Sequence, residues 1–438
     1  MTRVLTKNLA EHIDQTITIQ GWLHKKRLLG GLNFITIRDR SGLAQTKIDS
    51  KDELEKLRGL QIGTVLSMTG LVVADERAPG GAELHNVVIE VMVPVTEEPP
   101  IEIDKPIGHK SDNLDTLFEY RVLNIRNIQE QKIFKIRATI TRKIREYLHG
   151  NDFTEIDTPK LLAEATEGGA EVFQLDYFGK TATLAQSPQL YKQIMVGAFE
   201  RVYEIGHSYR AEPSATTRHL TELTMLDIEM GFVESHQEVM DMVGGMMRNV
   251  LESVYAEHAD DLKSLNAPAL KLSEDGTIPS FTIAEIHKLY TDATKTDTMN
   301  EKDLIPDEER WIATYALKNF GSDLVYATDF PAEAGKFYHK FKEEEGTVAW
   351  ADLLFRGLEI ATVPLRENNY EKMIEQMQHA GLDTTLDGFK YYLQAFKYGL
   401  PMHGGAGMGI DRVVQKTIGL GNVKEATLFP RDINRLTP

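Results

Sequence analysis

Four stretches of this chain carry residue types that could do chemistry. In YRAE, Arg210 and Glu212 stand two apart, and in LDIEMGF so do Asp227 and Glu229. Residues two apart in a strand share a face. A hairpin of Arg201–Arg210 and Glu222–Phe232 therefore gathers an arginine, acids and the connecting Arg218-His219 on one side. Leu226, Ile228 and Met230 turn the other way as a core stripe. A salt-bridged surface hairpin accounts for the same pattern, and such pairs contribute little. GGAGMGIDR, Gly404–Arg412, reads as a glycine-rich turn leading into a helix with Arg412 in its first turns. Glycines such as Gly407 and Gly409 let a backbone approach a ligand closely, and a helix start favours an anion. The stretch has neither the GK[ST] ending of a Walker loop nor the Rossmann order, and a purely structural turn fits it too. Asp352 and Glu359 flank a tight turn at Phe355-Arg356-Gly357, with Thr362 three residues on. Two carboxylates and a hydroxyl are hard oxygen ligands suited to Mg²⁺, with cross-strand charge satisfaction as the alternative. Finally, Lys25-Lys26-Arg27 lies beside Trp22 and His24, with Phe34 close by. A basic loop with aromatics suits single-stranded nucleic acid, since phosphates want cations and splayed bases want a stacking face. An ordinary solvated loop is the other reading.

The elements that must position these residues follow from periodicity. Short β-branched or alternating runs predict strands over Ile17–Trp22, Phe34–Asp39, Ala44–Ile48, Val65–Val73 and Val87–Val91. Gly30-Gly31, Ser41-Gly42 and Pro79-Gly80-Gly81 mark turns between them. Five short strands suit a small barrel of OB type. Thr96–Asp104, TEEPPIEID, reads as a linker. Ile133, Ile136, Ile140, Ile144 and Leu148 then mark one face of an amphipathic helix closed by Gly150, and a short strand Phe153–Asp157 leads to Pro159. The stretch 235–320 is helical and acidic, an insertion or a helical layer. A second β region covers Leu324–Tyr338 and Thr347–Arg366, followed by helices near Tyr370–Ala380 and Gly388–Lys397.

Composition bounds the reading. At 438 residues the chain is too long for one compact core. Forty-nine Lys and Arg against sixty-six Asp and Glu give −17, which disfavours blanket nucleic-acid binding. Residues 1–50, with eight Lys/Arg and four Asp/Glu, are the local exception. Zero Cys excludes disulfides, thiolate metal sites and thiol nucleophiles together. No apolar run reaches the roughly 20 residues that span a bilayer, and the charged N-terminus has no signal-peptide core, so a soluble, cytoplasmic protein is expected.

Taken in order, Pro159, YRAE…TRHL…LDIEMGF and GAGMGIDR resemble the three signature motifs of class II aminoacyl-tRNA synthetases. ATEGGAEVF (Ala165–Phe173) and LAQSPQLYKQ (Leu184–Gln193) narrow the resemblance to aspartyl enzymes. YRAEPSATTRHL and LFPRDINRLTP narrow it to their archaeal and eukaryotic-type branch. The resemblance covers essentially the whole chain. It implies an α+β architecture: an OB-type anticodon-binding barrel over 1–95, a linker over 96–118, and a class II catalytic domain over 119–438. That domain is an antiparallel sheet flanked by helices, with a helical insertion near 235–320. It implies ATP-dependent ligation of L-aspartate to tRNA through an aspartyl-adenylate, and a homodimer built on the first motif.

The resemblance also implies roles. Arg210 holds the α-phosphate and the aspartate carboxylate, Glu212 touches adenine or the tRNA end, and Arg412 grips the γ-phosphate. Arg218, His219, Glu359, Gly407 and Gly409 complete the ATP site, and Asp352, Glu359 and Thr362 hold Mg²⁺. Lys192 and Arg366 pair with the aspartate side-chain carboxylate. Asp227, Glu167 and Gln189 bind its ammonium or orient the cations, and Ser187 closes the pocket. On the barrel Phe34 stacks on an anticodon base, while Gln45 and Glu83 bond base edges. Two departures touch the site: TVPLREN stands where relatives read SGxQRIH, and Gly335-Lys336 where they read Arg-Pro. His24 and Pro79 replace the Trp and Lys of members restricted to tRNA(Asp). They match relaxed members that also charge tRNA(Asn), whose product passes to a tRNA-dependent amidotransferase. An asparaginyl-type or amidating enzyme and a catalytically weakened tRNA-binding paralogue are the competing readings. Lys192 argues against the first, and joint retention of Arg210, Glu212, Asp352, Glu359 and Arg412 against the second.

Overall fold

The computed structural model describes residues 3–30, 32–105, 114–163, 171–214 and 216–438. It divides into two compact units, Met1–Gln131 and Lys132–Pro438.

The first unit is a closed five-stranded barrel in the order β1-β2-β3-β5-β4. Its strands are β1 (Thr16–Leu29), β2 (Leu32–Arg38), β3 (Leu43–Lys47), β4 (Val65–Ala74) and β5 (Ala82–Val93). Alternation turns Ile19, Leu23, Ile35, Ile37, Ala44, Met68 and Leu84 inward, all fully buried. A helix absent from the sequence reading, α1 (Lys51–Arg58), joins β3 to β4, is capped by Ser50 and buries Leu57 in the barrel. The basic triplet is not a loop. Lys25, Lys26 and Arg27 continue β1, paired with Thr36, Ile35 and Phe34, after a register shift at His24. The shift re-aims the strand, so Lys26 turns from solvent to donate to the carbonyl of Leu57 at the end of α1, at 3.2 Å.

The second unit is built on an eight-stranded sheet. From one edge its strands are Ser280–Thr282, Leu324–Thr328, Trp350–Phe355, Glu359–Pro364, His403–Gly409, Glu222–Gly231, Arg201–Tyr209 and Thr154–Glu155. Only the outermost pairings are parallel. One face packs on the helices Ile128–His149, His236–Glu257 and Ile410–Ile418, burying the predicted stripe Ile133 to Leu148 together with Leu226, Ile228 and Met230. The 235–320 stretch thus contributes a long helix to the central core and an edge strand to the sheet. Of the predicted run Leu324–Tyr338, only Leu324–Thr328 is strand.

The glycine-rich stretch is a correction. Gly404–Gly409 is no turn but most of a central strand, His403–Gly409, flanked on both sides. The glycines answer to crowding: a Cβ at Gly405 would lie 2.0 Å from the Ile228 carbonyl oxygen and 2.5 Å from Glu229 Oε2, and one at Gly404 2.7 Å from Val239 Cγ2. Arg210 and Glu212 also differ from expectation, since the strand ends at Tyr209 and both follow it. Among the described residues no helix is long and apolar enough to cross a membrane.

Candidate active site

The sheet face away from the long helices opens into a cavity of about 260 Å³. Strand alternation places Asp227 and Glu229 on that face, and the glycine strand beside them leaves it open at Gly407, which carries no side chain. Arg210, Glu212, Arg218 and His219 line it from the hairpin connection. Glu359, Thr362 and Arg366 line it from the neighbouring strand and its extension, and Gly407, Gly409 and Arg412 from the glycine strand and following helix. Ser187, Gln189 and Lys192 come from the start of the helix Gln189–Phe199. So residues scattered over more than two hundred positions share one wall.

Two cations lie at its floor, each 1% exposed. Lys192 Nζ donates to Asp227 Oδ1 at 2.9 Å and to the Ala406 carbonyl at 3.0 Å, and lies 3.7 Å from Glu229 Oε2. Arg366 donates through Nε and Nη2 to the two oxygens of Glu229, at 2.9 and 3.1 Å, and its guanidinium lies over the Tyr338 ring. Burial pushes the Glu229 carboxyl up, but Arg366 and Lys192 outweigh it and hold it below the usual range. Lysine, arginine and two carboxylates thus form one buried, nearly neutral quartet. Glu229 is the member to which the sequence reading gave no role, although its spacing from Asp227 put both on one face. Behind them Gln189 donates to Gln193 Oε1 at 2.9 Å, and Gln193 Nε2 lies 2.8 Å from His403 Nε2. Gln193 is one helical turn from Gln189, a spacing that could have revealed it. His339, which also lines the cavity, was not foreseen. Burial first and Arg366 second hold its imidazole well below its ordinary value, so it is neutral.

At the other end Arg412 Nη1 donates to the Glu359 carbonyl at 2.8 Å, and Thr362 Oγ1 to Glu359 Oε1 at 3.1 Å. Asp352 pairs in register with Thr362 but is set back from the cavity wall, where the Trp350 indole N–H donates to its Oδ1 at 2.7 Å. Burial, then repulsion from Glu359, raises the Asp352 carboxyl well above its ordinary value. Among the described residues no three His, Cys, Asp or Glu side chains are grouped to hold a metal. Glu167 lies outside the described residues.

On the barrel, Phe34, Gln45 and Glu83 line a groove of about 680 Å³ together with Lys25, Arg27, Lys47 and Arg77. Register explains the grouping: Arg27, Phe34 and Lys47 form one cross-strand row, and Lys25, Thr36, Gln45 and Glu83 the next. Gln45 donates to Glu83 Oε2 at 2.7 Å, and His85 Nε2 lies 2.7 Å from Glu83 Oε1. His24 and Pro79 do not line this groove. His24 is half-buried, its pKa lowered by burial and by Arg38, and Pro79 opens the turn Pro79–Gly81.

A closed nucleic-acid-type barrel, and a sheet whose central glycine strand runs into a helix bearing Arg412, define a class II aminoacyl-tRNA synthetase. The family model "tRNA synthetases class II (D, K and N)" matches residues 113–433, and the chain belongs to that family. Residues 17–93 match the "OB-fold nucleic acid binding domain". The aspartate–tRNA(Asp/Asn) ligase of Thermus thermophilus is 40% identical, over 100% of both chains. The aspartate–tRNA(Asp) ligase of Pyrococcus abyssi is 38% identical, over 96% of each. Among solved structures, asparaginyl-tRNA synthetase from Pyrococcus horikoshii, complexed with asparaginyl-adenylate, aligns with a TM-score of 0.91 at 28% identity, covering 100% of both chains. A putative aspartyl-tRNA synthetase from Leishmania major aligns with a TM-score of 0.89 at 26% identity, covering 100% of this chain and 95% of that one.

Proposed function

We propose that this chain activates L-aspartate with ATP and transfers it to tRNA(Asp) and also to tRNA(Asn). The observation that carries the aspartate assignment is the buried floor, where Lys192 and Arg366 stand against Asp227 and Glu229. A side-chain carboxylate entering this quartet finds two fixed cations. Asp227 and Glu229 hold both cations in place, and an amide of the same shape forgoes the charge-assisted hydrogen bonds that a carboxylate makes with them. Asp227, Gln189, Ser187 and Glu167 then serve the ammonium and the pocket wall.

Activation requires one anion, the aspartate α-carboxylate, to attack another, the α-phosphorus of ATP, with pyrophosphate leaving. Positioned cations do most of that work. Arg210 draws carboxylate and α-phosphate together, Glu212 serves adenine or the tRNA end, and Arg412, Arg218 and His219 serve the outer phosphates. Gly407 and Gly409 let the nucleotide approach the backbone. Asp352, Glu359 and Thr362 are hard oxygen donors on adjacent strands, and the raised Asp352 carboxyl marks a place where a divalent cation would relieve repulsion. Their chemistry fits Mg²⁺, whose shell is commonly completed by substrate phosphates. When bound, it would neutralise phosphate charge.

The barrel groove supports anticodon binding, with Phe34 as the stacking face and Gln45 and Glu83 as edge readers. His24 and Pro79 present neither an indole nor an ammonium group, which supports acceptance of both tRNAs. The domain limits 1–95, 96–118 and 119–438, a homodimer, a cytoplasmic setting and delivery of Asp-tRNA(Asn) to an amidotransferase belong to the same reading. Charging of purified tRNA(Asp) and tRNA(Asn) tests it: comparable rates are expected, and a tRNA(Asn) rate about a hundredfold lower overturns relaxed specificity. Pyrophosphate exchange driven by asparagine rather than aspartate overturns the aspartate assignment.

A further inference from the structure

The helix Pro306–Phe320 sends one acid to the cavity's edge from a part of the chain otherwise remote from the site. Glu309, in its first turn, receives Arg218 Nη1 on Oε1 at 3.2 Å and Nη2 on Oε2 at 3.0 Å, a two-bond fork. The backbone N–H of Glu359 faces this carboxylate and, with Arg218, favours its charge against burial and the Glu359 carboxylate, which oppose it. Arg412 meets Glu359 from the other side, at its carbonyl and, at 3.4 Å, its Oε2. One acid therefore fixes the hairpin connection to a helix turn that is packed beside the strand carrying Glu359, and the Arg412 guanidinium meets that strand from the other side.

Three neighbouring features hold this arrangement in place. Gly357 has φ 73°, and a Cβ there would lie 3.0 Å from Arg310 Cα, so the first turn of the helix is seated directly on the Phe355–Leu358 turn. The connection is held as well: the Val423 N–H donates to the Thr217 carbonyl at 3.0 Å, and the Arg218 N–H to Thr216 Oγ1 at 3.1 Å. Glu309 itself is buried, with its side chain 11% exposed. An acid next to a site for phosphates opposes the ligand's charge unless it performs some other task, and here its contacts are with groups that face the ligand rather than with open cavity.

We propose that Glu309 is a positioning residue for ATP. It sets Arg218 and Glu359 in a fixed relation before the nucleotide arrives, so that the arginine need not be ordered on binding. The inference rests on the ATP-dependent reading above. A connecting arginine without this partner would sample several rotamers, and ATP binding would carry the cost of fixing one of them.

The test is aspartate-dependent ATP–pyrophosphate exchange by the full chain and its variants E309Q, E309D and R218A, with E309Q also combined with R218A. E309Q keeps the side chain's size and removes its charge, and should raise KM for ATP about tenfold while KM for aspartate stays within about twofold. E309D, which keeps the charge on a shorter arm, should fall between. In the R218A background E309Q should add little, because its effect acts through the arginine. Melting curves run in parallel separate loss of fold from loss of positioning, and E309D answers the question if E309Q does not fold. Equal KM for ATP in the unaltered chain and the folded variants, or effects that simply add in the double variant, overturn the inference alone. No exchange by the unaltered chain overturns the ATP-dependent reading with it.

Discussion

Replacing Glu229 by Gln probes the quartet at the cavity floor most directly. The carboxylate is wholly buried, takes bonds of 2.9 and 3.1 Å from Arg366 and lies 3.7 Å from Lys192. With the amide in place, two cations face one carboxylate, and one unit of positive charge is left out of water. Breaking a buried pair from one side costs about 3–5 kcal/mol. The amide oxygen can still accept one guanidinium bond and Asp227 still faces Lys192, so the lower end, about 3 kcal/mol, applies. At roughly 2–4 °C per kcal/mol for a large domain, Tm should fall by about 6–12 °C. L-Aspartate carries the missing charge in its side chain. The gap between E229Q and the unaltered chain should therefore narrow with saturating L-aspartate and stay open with L-asparagine. Scanning calorimetry of both proteins with each amino acid reads this out. A Tm within about 2 °C of the unaltered chain, or an equal narrowing by asparagine, refutes the electrostatic account of the floor.

Three further outcomes follow from separate parts of the molecule. Phe34→Ala removes the groove's stacking face and should raise KM for tRNA in aminoacylation by about 5- to 150-fold, the equivalent of 1–3 kcal/mol for one stacked base; an unchanged value would remove Phe34 from recognition. Gly405→Ala puts a methyl 2.0 Å from the Ile228 carbonyl oxygen and should cost at least about 3 kcal/mol, so a soluble variant with native Tm would refute the crowding argument. Asp39 accepts from Thr6 and Ser41, and although burial raises its carboxyl, those bonds outweigh it and leave it below the ordinary 3.8. Its contribution is thus complete above that ordinary value and fades as pH falls through the folded one. Asp39→Asn should cost about 1–3 kcal/mol at neutral pH and flatten the stability loss of acid titration below that value, followed by amide hydrogen exchange of the barrel strands.

Much of the site could be read in one dimension because strand and helix periods are local. LDIEMGF put Asp227 and Glu229 on one face and Leu226, Ile228 and Met230 on the other, and the fold keeps that division: the apolar three join the helix-side core, while the acids meet Lys192 and Arg366. The five barrel strands could be read for the same reason. The glycine stretch misled, since a run of glycines carries the same local signal in a turn and in a crowded central strand. The triplet Lys25-Lys26-Arg27 misled because only pairing with β2 shows that β1 continues through it.

From sequence alone came the order of elements, the residue types able to hold anions and the absence of thiol chemistry, all properties of single segments or of composition. Which cation meets which carboxylate was decided by the fold. Arg366 reaches Glu229 across 137 positions and Arg218 reaches Glu309 across 91, because the sheet lays distant strands side by side and the helix Pro306–Phe320 seats its first turn on the Phe355–Leu358 turn. Pairing between charges depends on distance through space, and chain order does not encode that distance.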